Sequence, residues 1–183
     1  MVEPIRVLHI DDQPDFAVMA ADFLEREDDR LEVITETSAS AGLEHLRSES
    51  IDCVVSDYDM PDIDGISLLE QVRSEFGNLP FILFTGKGTE EVASEAISAG
   101  VTDYLQKKID TEQYAVLRHR IINAVDQYRT HRALQDNKQR FRTLVEESTD
   151  AIFVVGPNGT FEFVTPAVER VLGYGADELI GTN

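Results

Sequence analysis

Five residues in the first part of the chain are of the types that handle phosphate: Asp11, Asp12, Asp57, Thr85 and Lys107. Each ends or follows a short strand-like run: IRVLHI before the Asp pair, IDCVV ahead of Asp57, FILFT ending in Thr85, and the short run Thr102–Leu105 ahead of Lys107. Three carboxylates brought together repel one another, which raises pKa values and invites a hard divalent cation. All-oxygen ligation with retained waters suits Mg2+. A metal beside a carboxylate holds a phosphoryl group by bridging to its oxygens. A threonine hydroxyl can donate to the same group, and a lysine adds a positive point charge. The set reads as a pocket that takes phosphate on Asp57 as an aspartyl-phosphate. Taken singly the residues have plainer readings: an Asp pair after a strand caps a helix, and a lysine after a strand is solvated. Only a fold that gathers them makes the chemistry.

The pattern of the chain supplies such a fold. Strands are expected at Ile5–Ile10, Leu31–Thr35, Ile51–Val55, Phe81–Thr85 and Thr102–Leu105, all β-rich runs bounded by turn residues. Helices alternate with them. Pro14 suits a first turn ahead of Phe16, Met19, Ala20, Phe23 and Leu24, and Ser38 caps a helix carrying Gly42 and Leu46. Ile66–Phe76 and Thr89–Ala99 follow, the last closed by Gly100. Asp64-Gly65 reads as a turn. This alternation predicts a doubly wound, flavodoxin-like α/β domain with a five-stranded parallel sheet in the order 2-1-3-4-5. Strands 1 and 3 are then neighbours at the switch point, so Asp11, Asp12 and Asp57 share a crevice that Thr85 and Lys107 can reach.

From Asp110 a long helical stretch begins, with Tyr114, Leu117, Ile121, Ala124 and Tyr128 at 3/4 spacing. The phase slips near His131 and resumes at Leu134, Phe141, Leu144 and Val145, a weak coiled-coil seam made polar by Asn137. Beyond it, AIFVV and TFEFV flank GPNG, a hairpin signal, and a short helix spans 166–172. Two strands and a short helix bury too little to stand alone, so this unit is expected to be a fragment. The division expected is 4–125, a connector at 126–147 and a third segment at 148–183.

Net charge is −19 over 183 residues. Residues 1–108 hold 24 acids against 8 bases, residues 109–147 hold 6 against 7, and residues 148–183 hold 5 against 1. The acidity thus belongs to the first domain and argues against nucleic acid and against an anionic membrane surface. The bases are 12 Arg and 4 Lys, an acid-rich, lysine-poor balance that fits a salt-loving organism, where high salt screens self-repulsion. Cys53 is the single cysteine and lies in an apolar run, so a buried thiol is expected rather than a disulfide. No long apolar span or N-terminal signal pattern is present, which suits a soluble, cytoplasmic chain.

The motif set resembles the receiver domain of bacterial and archaeal two-component response regulators. It consists of Asp11-Asp12, Asp57 followed by MP-x-x-DG, Thr85-Gly86, and Asp103-Tyr104-Leu105-x-Lys107. The resemblance covers residues 4–125 or so. It implies that Asp57 takes a phosphoryl group from a phosphohistidine of a sensor kinase or phosphotransfer protein. It implies Mg2+ ligation by Asp12, Asp57 and the Asp59 backbone carbonyl, with Asp11 acting through water. It further implies that Thr85 moves toward the phosphate, that Tyr104 swings inward with it, that Lys107 pairs with the phosphoryl oxygen, and that small Gly86 leaves the approach open. Lys108 stands where that family has Pro, often after a cis bond, and Asp59 adds an acid at a variable position.

Residues 139–183 resemble the N-terminal part of a PAS sensor domain, through FRTLVEESTDAIFVV, GPNGTFEFV, PAVERVLGY and ELIGTN. Under half of such a domain is covered, and no haem, flavin or other ligand is implied. The chain therefore reads as a phosphorylation-switched receiver with output to a PAS region rather than to DNA, and not as an enzyme with turnover. Homodimerisation is expected through the strand 4, strand 5 and last-helix face or through the connector helix. The alternative is a haloacid-dehalogenase-like phosphatase, with Asp57 and Asp59 as its D-x-D. In that family, however, the D-x-D opens the chain, whereas here the acid pair comes first. His119 and His131 are expected to be exposed helix residues.

Overall fold

The computed structural model describes residues 3–86, 88–108, 110–146 and 150–182. Two compact units divide between Arg129 and Thr130.

The first unit alternates strand and helix. Its elements are β1 (Ile5–Ile10), α1 (Pro14–Glu27), β2 (Leu31–Glu36), α2 (Ala39–Ser48), β3 (Cys53–Ser56), α3 (Gly65–Phe76), β4 (Phe81–Thr85), α4 (Glu90–Ser98) and β5 (Asp103–Gln106). The long helix α5 (Glu112–Glu146) follows. The five strands are parallel in the order β2-β1-β3-β4-β5. β3 starts two residues later than the apolar run suggests and extends through Ser56, because Ser56 pairs with Ile10 while Asp52 accepts the Arg6 amide through its side chain.

Strand residues alternate between two cores, as a sheet covered on both faces requires. Leu8, Ile10, Val54, Phe81 and Leu83 face α2 and α3 through Leu43, Leu46, Leu68, Leu69 and Val72. Ile5, Val7, Cys53, Val55, Ile82 and Phe84 face α1 and the first half of α5 through Ala20, Leu24, Tyr114, Leu117, Ile121 and Val125. Burying a side chain such as Leu117 or Ile121 stabilises the fold by about 1.5–3 kcal/mol. Met19 falls outside this pattern and is exposed.

Local signals set the element ends. Ser38 Oγ accepts from Ala41 N–H at 3.2 Å and Asp64 Oδ1 from Ser67 N–H at 2.7 Å, capping α2 and α3. Thr89 caps α4 in the same way. Pro14 opens α1 as expected, but the N-cap is Gln13 and no side chain caps that helix. The Asp pair is thus not serving as its cap. Cys53 is free and buried, and burial pushes its thiol pKa up.

The second unit holds an antiparallel hairpin, β6 (Phe153–Val155) and β7 (Phe161–Val164), then α6 (Ala167–Leu172) and the short α7 (Ala176–Leu179). The GPNG turn closes through Gly156 N–H to Thr160 O at 2.9 Å, with Gly159 at φ 80° where a side chain would be strained. Thr165 is buried and its Oγ1 accepts from Ile152 N–H at 2.9 Å. The expected junction at 147/148 lies outside the described residues.

Candidate functional site at the carboxyl ends of the strands

The β1–β3 register sets the site. Ile10 stands opposite Ser56, so the residues that follow, Asp11 and Asp57, reach the same level on adjacent strands. Asp57 N–H donates to Ile10 O at 2.8 Å, extending the pairing by one step. Asp11 N–H donates to Glu36 O at 3.0 Å, and Asp11 Oδ1 accepts from Gln13 N–H at 3.0 Å. Ser56 Oγ donates to Asp57 O at 2.8 Å. Asp11 is fully buried and Asp57 is 5% exposed.

Lys107 supplies the positive charge. Its Nζ lies 2.6 Å from Asp11 Oδ2 and 2.8 Å from Asp57 Oδ2, and 4.4 Å above the centre of the Phe16 ring. Its backbone N–H donates to Thr85 O at 2.8 Å, which ties the loop after β5 to the tip of β4. The bond to Lys108 is trans, and the Lys108 N–H, which a proline would lack, donates to Gln113 Oε1 at 2.7 Å. Asp12, Gln13, Asp57, Asp59, Thr85, Gly86 and Lys107 line one cavity of about 200 Å³. Thr85 is wholly buried at its wall. A Cβ at Gly86 would meet no atom within 4 Å, so packing does not demand the glycine and its small size leaves the cavity mouth open.

Asp11, Asp12 and Asp57 each offer a carboxylate oxygen, and these atoms lie within 4.8 Å of one another. Asp59 lines the cavity, but its carboxylate is exposed and stands outside that trio. Asp12 Oδ1 is buried with no hydrogen-bond partner among the described residues. Burial, and then the neighbouring charges of Asp11 and Asp57, raise the Asp12 carboxyl above its ordinary value. Among the described residues, three carboxylates against the Lys107 ammonium leave a surplus of negative charge facing an oxygen with no partner there. That donor set fits a hard divalent cation such as Mg2+.

Tyr104 is half-buried beside the α3-side core, and its hydroxyl is shielded from solvent with no partner among the described residues. Burial raises its pKa. His119 and His131 are exposed on α5, each beside the amide of the residue four further on.

Other residues of the site escaped the sequence reading. Gly65 is more than a turn residue: a Cβ there would meet Asp57 O at 2.3 Å and Leu83 Cδ1 at 2.7 Å, so α3 approaches the Asp57 backbone as only glycine permits. Gly65 N–H donates to Tyr58 O at 2.9 Å, and Asp57 Oδ1 accepts from Tyr58 N–H at 2.6 Å. His9 lies beneath the acids, 1% exposed, with Nε2 3.9 Å from Asp11 Oδ2. Burial first, and then Lys107, lower its pKa to about 4, so it is neutral at pH 7. Gln13 and Gln113 are neither acids nor bases and carry no motif. Only the inward alternation of His9 with Val7 and Ile5 could have flagged a polar residue on a core face.

An acid-lined crevice that Lys107 enters, at the switch point of a 2-1-3-4-5 sheet, is the architecture of a receiver. A family model for the response regulator receiver domain matches residues 7–121. The chain belongs to that family. A second model, for the PAS fold, matches residues 139–183. Hybrid signal transduction histidine kinase D of Dictyostelium discoideum is 28% identical over 143 residues, covering 77% of this chain and 9% of that protein. Transcriptional regulatory protein FixJ of Bradyrhizobium diazoefficiens is 33% identical over 107 residues, covering 58% of this chain and 52% of that protein. Among solved structures, a response regulator receiver domain protein from Clostridium thermocellum superposes with a TM-score of 0.62 at 27% identity. That match covers 69% of this chain and 98% of the other. The chain spans about half the length or less of these curated relatives.

Proposed function

We propose that Asp57 accepts a phosphoryl group from the phosphohistidine of a sensor kinase or phosphotransfer protein, and that this chain is a signalling switch rather than an enzyme with turnover. The observation that carries the reading is the Lys107 ammonium held between Asp11 and Asp57, at 2.6 and 2.8 Å, in a cavity at the strand tips.

In the transfer an Asp57 carboxylate oxygen attacks phosphorus and a P–O bond forms. The P–N bond of the donor breaks, and its electron pair leaves on the imidazole nitrogen, which ends protonated. Asp11, Asp12 and Asp57 would hold a divalent cation, which supplies charge neutralisation for the incoming phosphoryl oxygens. Lys107 exchanges its bond with Asp57 for one with a phosphoryl oxygen and stays anchored on Asp11. Thr85 lines the same cavity, which supports its hydroxyl as a donor to that group, with Gly86 leaving room for the phosphoryl donor. The Tyr104 hydroxyl has no partner among the described residues, and this supports its role as the group that repacks when Thr85 moves. Asp59, exposed at the rim, contributes through its backbone carbonyl.

The strongly acidic first unit supports a protein partner rather than nucleic acid. No helix among the described residues is long and apolar enough to cross a membrane, and we place the protein in the cytoplasm, in a cell of high internal salt. Output runs to the PAS region. Radiolabelled acetyl phosphate with Mg2+ tests the reading: uptake of at most one phosphoryl group per chain is expected, abolished by Asp57→Asn. Label retained by Asp57→Asn, or sustained hydrolysis of a small phosphate ester, overturns it.

A further inference from the structure

Lys107 must hold its ammonium at hydrogen-bond distance from two carboxylates at once, 2.6 Å from Asp11 and 2.8 Å from Asp57, and a displacement near 1 Å in such a group costs on the order of a hundredfold in rate. What holds it lies in the backbone on either side. The Lys107 N–H is fastened to Thr85 O at 2.8 Å, at the tip of β4. The next N–H, that of Lys108, is fastened to Gln113 Oε1 at 2.7 Å, in the first turn of α5. Gln113 is 6% exposed and precedes the apolar stripe of Tyr114, Leu117 and Ile121. A primary amide in that setting destabilises the fold unless it is hydrogen-bonded. Its own backbone N–H is taken up by Asp110 Oδ1 at 3.2 Å, so both ends of the residue are held. The Lys107-Lys108 dipeptide is thus tied between β4 and α5.

Resting on the phosphoacceptor reading above, we propose that Gln113 is a positioning residue for Lys107. Through the Lys108 N–H it sets how the ammonium stands over Asp57, and it ties that placement to the first turn of α5. Gln113 touches no reacting atom. Its carbonyl acts on the loop, and the loop aims the lysine.

The test measures the rate of label uptake from radiolabelled acetyl phosphate, with Mg2+ at pH 7.5, by the full chain and by two variants. Gln113→Met keeps the length and removes the acceptor. Gln113→Glu restores an acceptor. The expected result is uptake slowed at least fivefold by Gln113→Met and returned to within twofold of the parent by Gln113→Glu. A purely space-filling role would favour Met over the charged Glu, so rescue by Glu separates the two. Uptake by Gln113→Met within twofold of the parent, or a Glu variant as slow as Met, overturns the proposal. Amide hydrogen exchange in the unaltered chain gives a reading independent of variant folding. Lys108 N–H is expected to exchange at least tenfold more slowly than an open loop amide, and exchange at the open-loop rate overturns the anchor. If the parent chain takes no label while the Lys108 amide is protected, the phosphoacceptor reading has failed and the anchor has not.

Discussion

α5 carries the same kinds of residue in its two halves and treats them differently. In the first half Leu117 and Ile121 are fully buried against the sheet. In the second half Leu134, Phe141 and Leu144 are 53%, 70% and 73% exposed. The two units repeat the contrast. The first buries apolar side chains on both faces of its sheet, whereas Phe153, Val154 and Val155, the whole of β6, are exposed in the second. The difference shows where structure is specified from within the chain. A buried stripe fixes the first half of α5, and through Gln113 that half is bonded to the loop that carries Lys107.

One substitution made twice on this helix is the sharpest way to break the contrast. Leu117→Ala should cost about 2–5 kcal/mol in the main urea transition. Leu144→Ala should stay within about 0.5 kcal/mol. A larger loss at Leu144 that grows with protein concentration would mark the second half as a seam between two copies.

His9 gives the next effect. Its folded-state pKa, lowered to about 4, lies below the ordinary value of 6.5. Between those values the unfolded chain binds the extra proton, so the stabilisation is complete above the ordinary value and is lost as pH falls toward the lowered one. The loss is about 3 kcal/mol at its fullest. His9→Leu should flatten that slope in thermal melts recorded from pH 7 to pH 4, and an unchanged slope would remove His9 as its cause. Smaller again is Gly65→Ala. Its Cβ would press on Asp57 O and Leu83, so a loss of about 1–3 kcal/mol is expected, with slower phosphoryl uptake. Stability and uptake both at the parent level would show that the close approach is dispensable.

The fold was legible in the sequence because turn residues bound the β-rich runs and helix-spaced segments alternate with them. Asp11, Asp57, Thr85 and Lys107 were legible for the same reason: Thr85 ends a strand, the others follow one, and parallel strands end on one side of a sheet. Residues that depend on what lies opposite them were not legible. Gly65 looks like any turn glycine until α3 is seen against the Asp57 carbonyl. Gln113 looks like any polar helix residue until the Lys108 N–H is found beside it. The start of β3 moved because Asp52 spends its side chain on Arg6, which no local pattern reveals. The length of α5 was readable from its spacing, but the exposure of its second half was not, since exposure depends on partners.

The phosphoacceptor reading stands or falls at one atom pair, an Asp57 carboxylate oxygen and phosphorus. Borohydride reduces an acyl phosphate to an alcohol, so an aspartyl-phosphate trapped in this way becomes homoserine at its own position. After incubation with acetyl phosphate and Mg2+, peptide mass spectrometry should find homoserine at position 57 and at no other acid. Conversion at Asp59 or Asp12 instead, or none in chains shown to carry label, would contradict the assignment.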